Sequence, residues 1–227
     1  MKHQNQTGFT ILELLIATAV FSIILLIGAT TIIQVGRMYY RGVVASKNRE
    51  VVRNVIDEIS RPIQLEGAGV ITGVAPENQP STGEQVSVEV FCIGSKRYTY
   101  TTGAFLDETL DGTVVAGLNN TKRVRHVLWV DNGGSVCTPA NLTIPNPTPD
   151  GTELLSPGMM LSDMSLTSTS IGATGTQRSY NLRVFGLTGA DDLVQSDGSV
   201  WRCGAEIVGS QWCAGSDLFT NVYKRIE

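Results

Sequence analysis

From Phe9 to Val35 (FTILELLIATAVFSIILLIGATTIIQV) apolar side chains occupy every face of the chain, and Glu13 is the one charge among them. Leu14 to Gly36 makes 23 consecutive residues without a charge. At about 1.5 Å per residue, a helix of that length covers roughly 35 Å, enough to cross a hydrocarbon core of about 30 Å. The pattern then changes. Val44, Val51, Val52, Val55, Ile56, Ile59 and Ile63 recur at helical spacings, while Lys47, Arg49, Glu50, Arg53, Asn54, Asp57, Glu58 and Arg61 fill the other faces. This predicts that the same helix continues as an amphipathic one. It should end near Pro62, whose ring disfavours helical geometry at Arg61 and whose missing N–H breaks the ladder.

A single apolar stripe has no core of its own, so it needs a partner. The later sequence supplies strands. Gln85 to Ile93 alternates Val86, Val88, Val90 and Cys92 against Ser87, Glu89 and Phe91. Gly94-Ser95 suits a two-residue hairpin turn, and Lys96 to Thr102 returns. Arg123 to Val130, Met160 to Thr169, Ser179 to Leu187 and Leu218 to Ile226 read as further strands, separated by loops rich in Asp, Asn, Gly and Pro. The expected fold class is α+β: a long N-terminal helix packed against a C-terminal antiparallel β-sheet head.

Composition narrows the function classes. The chain has 227 residues, 17 Lys and Arg against 21 Asp and Glu, and a net charge of −4, which does not mark a dedicated nucleic-acid binder. The four cysteines, Cys92, Cys137, Cys203 and Cys213, are read as disulfides in a chain headed out of the cytoplasm. Three connectivities are open, and proximity favours Cys203 with Cys213 and Cys92 with Cys137. A four-thiolate metal site would need close CxxC pairs, and there are none.

The N-terminus carries the most specific signal. A short polar leader with Lys2 ends in Gly8; Phe9 follows, then Glu13 four residues on, then the apolar run. A secretory signal peptide has an apolar region of about 7–15 residues before a small-x-small site, and Ile27-Gly28-Ala29 is a poor one. A plain anchor explains neither the Gly8-Phe9 junction nor an acid disfavoured by up to about 3 kcal/mol at mid-bilayer. The string Gly8-Phe9-Thr10-Ile11-Leu12-Glu13-Leu14-Leu15-Ile16-Ala17 resembles the processing signal of type IV prepilins and pseudopilins. The resemblance covers about the first quarter of the chain. It implies cleavage after Gly8 by a prepilin peptidase, methylation of the new Phe9 amine, and packing with other pilin subunits. It also implies that Glu13 meets the N-terminal amine of a neighbour and so sets register. Many major pilins carry a proline midway along the apolar half, which this chain lacks.

The expected organisation is a leader at 1–8, a transmembrane and filament-core helix at 9–36, an amphipathic continuation at 37–63 and an extracytoplasmic β-rich head at 64–227. The subunit would sit in the cytoplasmic membrane before assembly and in an extracellular filament or pseudopilus afterwards. No catalytic motif is present: no GxSxG, Walker loop, HExxH or dinucleotide fingerprint. An enzyme, a cofactor and a resident metal are therefore not expected. His126, alone after leader removal, reads as a strand bystander. Asp107-Glu108 and Asp191-Asp192 read as solvated carboxylates; the run from Asp191 to Gly198 offers oxygen ligands but not EF-hand spacing. A basic cluster of Arg97, Lys122, Arg123 and Arg125, with Lys96, Tyr98 and Tyr100, offers a nucleic-acid contact, against which stands the simpler reading of a solvated strand face. It supports the alternative of a tip or minor pilin that binds DNA or a surface; a pseudopilin of a type II secretion-like system is the other. Asn119 and Asn141 begin glycosylation sequons.

Overall fold

The computed structural model describes residues 10–65, 70–72, 88–109, 123–133, 137, 151–171, 177–198, 200–204, 209 and 212–223. It divides into two compact units, Met1–Gly42 and Val43–Glu227, with one helix, α1 (Ile11–Leu65), running through both.

In the first unit every side chain from Thr10 to Gly42 is exposed. The helix is long and apolar enough to cross a membrane. Its hydroxyls are satisfied within the helix: Thr18 Oγ1 donates to Leu15 O at 3.0 Å and Ser22 Oγ to Thr18 O at 2.8 Å. Thr30 and Thr31 both donate to Ile27 O, at 2.9 and 2.8 Å. Such back-bonding lets a hydroxyl sit in hydrocarbon without an unmet donor.

The second unit begins with the amphipathic half of α1, where Asn48, Val52, Val55, Ile56, Ile59, Ser60, Pro62 and Ile63 are buried at helical spacing. Val44 and Val51 are half-buried at the edge of the stripe. The helix ends near Pro62, as expected, but runs three residues past it, to Leu65. In the last turn the missing N–H removes one bond, while the Pro62 ring and Ile63 pack into the core. Burying one such aliphatic side chain stabilises by about 1.5–3 kcal/mol, enough to hold the final turn.

Among the described residues the strands form two five-stranded sheets and a hairpin, where the sequence suggested a single sheet. The first sheet contains β1 (Val70–Thr72), β2 (Val88–Ile93), β3 (Lys96–Thr101), β6 (Leu128–Asn132) and β7 (Thr152–Glu153), in the order β1-β2-β3-β6-β7. The second contains β4 (Phe105–Leu106), β5 (Arg123–Val124), β8 (Met159–Ile171), β9 (Gln177–Thr188) and β12 (Ala214–Tyr223), in the order β12-β9-β8-β4-β5. All these pairings are antiparallel except β4 with β5. A short hairpin, β10 (Val194–Ser196) with β11 (Trp201–Cys203), follows a single 3-10 turn at Asp191–Leu193.

Both sheets contribute to one core. It gathers Val52, Val55, Ile56, Ile59 and Ile63 from α1 with Phe91, Ile93, Tyr98 and Leu128 of the first sheet and Leu161, Leu182, Val184 and Val222 of the second. The expected alternation in β2 is corrected here. Phe91, assigned to the polar side, is buried, stacking on Tyr98 at 4.8 Å between ring centroids and meeting Tyr100 edge-on at 6.0 Å. Val88, Val90 and Cys92 are buried as well, so β2 is covered on both faces and only Glu89 is exposed. The expected strand from Arg123 to Val130 is two strands. Near His126 the chain leaves the second sheet for the first, and Val127 N and Leu128 N donate to the Glu153 carboxylate at 3.0 and 2.9 Å. The turn after β2 is as read from Gly94-Ser95, with Gly94 at φ 61°.

Two features fasten the helix and loops to the sheets. Asn48 Nδ2 donates to Gly186 O at 3.0 Å and Ala214 O at 2.9 Å, bridging the adjacent strands β9 and β12. A Cβ at Gly186 would lie 2.8 Å from Val52 Cγ2, so glycine lets α1 approach β9 closely. Disulfides join Cys92 to Cys137 and Cys203 to Cys213. The second ties the end of β11 to the start of β12, over a small cluster of Phe105, Met160, Leu187, Leu193 and Val194.

Candidate assembly and processing site

Gly8 and Phe9, the expected processing junction, lie outside the described residues. Immediately after them Thr10 caps α1. Its carbonyl accepts Leu14 N at 3.3 Å, its hydroxyl oxygen accepts Glu13 N at 3.3 Å, and its own N–H donates to Glu13 Oε2 at 3.0 Å. The Thr10 hydroxyl also donates to Oε2, at 2.9 Å. This is a capping box: residues three apart satisfy each other's backbone donors at a helix start. The signal stands in the sequence as Thr10-x-x-Glu13, and reading Glu13 only as an assembly charge passed over it. The arrangement leaves Glu13 exposed, with Oε1 unpartnered among the described residues. One oxygen therefore serves the helix while the carboxylate still presents negative charge outward.

An exposed apolar helix that begins in a glutamate-bearing cap is the setting in which residues 3–29 match a family model, the prokaryotic N-terminal methylation motif. The chain carries the N-terminal signature of type IV pilin-like proteins. In general terms this pilin motif implies a prepilin peptidase and other pilin subunits as partners. No curated protein and no solved structure matches the chain.

The other candidate residues of the chain do not converge on one site. Arg97 is no surface cation. Its guanidinium holds Asp131 through Nε at 2.9 Å and Nη2 at 2.5 Å, with side chains 9% and 2% exposed. Tyr98 is buried in the core, and Tyr100 is buried with its hydroxyl donating to Glu89. Burial first, then the Glu89 hydrogen bond and charge, push the Tyr100 phenol far above its ordinary pKa. Neither ring can stack on a base. Lys122 lies outside the described residues, and Arg125 is half-buried.

Arg123 is partly exposed but sits between two acids, with Nη1 3.4 Å from Asp107 Oδ2 and Nε 3.4 Å from Asp191 Oδ2. The Asp191 charge is the main cause of its raised pKa. Hydrogen bonds from the Thr109 hydroxyl and N–H, helped by Arg123, hold Asp107 below the usual carboxylate range. Asp191 thus faces the Arg123 guanidinium. No group of three His, Cys, Asp or Glu side chains gathers at a metal-sized site among the described residues. His126 is buried against Trp129, ring centroids 4.3 Å apart, with Nδ1 3.6 Å from Glu153 Oε2. Glu153 in turn accepts the backbone N–H groups of Val127, Leu128 and Leu155, which makes it a fastener of the crossing between sheets. The sequons at Asn119 and Asn141 lie outside the described residues.

Proposed function

We propose that the chain is a structural subunit of a type IV pilus or pseudopilus, cleaved after Gly8, assembled by helix packing, and without catalytic activity of its own. One observation carries the reading: the methylation motif at 3–29 opens a helix whose side chains, from Thr10 to Gly42, are all exposed. So much apolar surface needs a membrane or other copies of such helices to cover it. Once Phe9 is a free N-terminus it carries a positive charge, and moving that charge into an apolar bundle needs an anion. Glu13, with an oxygen to spare beyond its cap, supplies it to a neighbouring subunit. Removing one member of such a desolvated pair costs about 3–5 kcal/mol, which makes it a register mark. The buried Arg97–Asp131 pair and the acid-flanked Arg123 weigh against a nucleic-acid-binding head.

Intact mass and N-terminal sequencing of the protein from its native host test this. The expected product starts at methylated Phe9. A chain starting at Met1 overturns processing and leaves a plain anchor, and one starting beyond Ala29 indicates ordinary secretion.

A further inference from the structure

The charges that flank the apolar run of α1 are unequal. At its N-terminal end stands Glu13, already engaged with Thr10. At the other end the run closes in Arg37-Met38-Tyr39-Tyr40-Arg41, all exposed on the helix. Arg37 and Arg41 are four residues apart, so two like charges lie on one face, an arrangement that by itself destabilises a helix. The basic residues further along have acids within a turn: Glu50 is three residues from Lys47 and from Arg53, and Asp57 is four from Arg53 and from Arg61. Arg37 and Arg41 have none. The residues three and four positions away from them are Ile33, Gln34, Tyr40, Val44, Ala45, Met38 or each other. Neither guanidinium meets a carboxylate among the described residues.

We propose that Arg37 and Arg41, with Tyr39 and Tyr40 beside them, form a docking surface for the phosphates of anionic phospholipids in the leaflet at the C-terminal end of the span. The proposal rests on the reading of α1 as membrane-spanning. Three observations select this occupant. The arginines directly follow the uncharged run, so they stand at headgroup depth when that run lies in hydrocarbon. Guanidinium groups pair with phosphate bidentately, and arginine stems reach along apolar surface to do so. Tyrosines are enriched at this depth, because a ring with an apolar body and a polar tip fits the boundary. The surface would hold the subunit upright and anchored until assembly draws it out of the bilayer.

The test places the full chain in vesicles of equal phosphatidylcholine and phosphatidylglycerol. After release in mild detergent, native mass spectrometry weighs the lipids retained, and protease protection of the same vesicles reports whether the helix spans. Each arginine near an anionic surface is worth about fivefold, so a preference for phosphatidylglycerol of roughly thirtyfold is expected. It should fall to near parity in Arg37→Gln/Arg41→Gln and persist largely in Arg37→Lys/Arg41→Lys. A spanning wild-type chain that retains both lipids equally overturns the lipid contact and leaves the membrane reading standing. The same parity, with the glutamine variant failing to assemble in cells, overturns it in favour of carboxylates on a neighbouring subunit. A chain that does not span overturns both.

Discussion

Replacing Glu13 by glutamine separates its two roles, because glutamine can still reach back to the Thr10 N–H while the charge is gone. Glu13→Gln should keep the helix content of the detergent-solubilised chain, read by circular dichroism, and lose filament assembly in the native host. Thr10→Ala should do the reverse, weakening the helix start by about 1 kcal/mol while subunits still assemble. Equal assembly by both variants would reduce Glu13 to a cap. At Arg97 the expectation is opposite to that for a surface cation. Arg97→Ala strands Asp131 in the core, so denaturation should show a loss of about 3–5 kcal/mol, with no change in retention on a DNA column. Asp107 gives the pH signature. Its folded pKa lies below the unfolded value, so its contribution is present above about pH 4 and disappears as pH falls through the depressed value. Denaturation midpoints between pH 2 and 5 should therefore fall less steeply in Asp107→Asn.

Between α1 and β9, the approach at Gly186 is close enough that an added Cβ would lie 2.8 Å from Val52 Cγ2. Gly186→Ala should cost about 1–3 kcal/mol by overpacking, and Val52→Ala in the same chain should recover part of it, so a double-mutant cycle in urea should be non-additive. Additive losses would mean the helix has shifted away from β9. This closeness shows what a sequence can and cannot disclose. The stripe from Val52 to Ile63 was legible because helical spacing is local, and so were the β2–β3 turn and the long strands β8 and β9. The capping box was equally legible in Thr10-x-x-Glu13. What escaped depends on partners far along the chain. Phe91 lies inside because its side chain, stacked on Tyr98, joins the core that also takes in the α1 stripe. The strand expected at 123–130 divides because the distant Glu153 takes the N–H groups of Val127 and Leu128. α1 passes Pro62 because the core claims Ile63. For the candidate site, the Gly8, Phe9 and Glu13 motif was plain, whereas the acids that neutralise Arg97 and Arg123 come from positions no local pattern connects.

Two disulfides brace the β-rich unit, and they should not contribute equally. On the chain-entropy view, the Cys92–Cys137 link, with a separation of 45, is worth about 4 kcal/mol, and the Cys203–Cys213 link, with a separation of 10, about 3 kcal/mol. Paired serine variants should show that order in denaturation midpoints; the reverse order would place the greater constraint in the β11–β12 connection. The apolar half of α1 has a consequence of another kind. With the hydroxyls of Thr18, Ser22, Thr30 and Thr31 each donating to a carbonyl of the same helix, none of the four has a proton left to give to a neighbour. On the proposed reading of the chain as a filament subunit, a bundle of such helices would be a low-friction assembly, in which one subunit slides and rotates past another at little cost. On the same proposal the Glu13 carboxylate, at the N-terminal end of the run, would be the detent, and stretching or twisting a filament would be resisted there before it is resisted along the apolar surface.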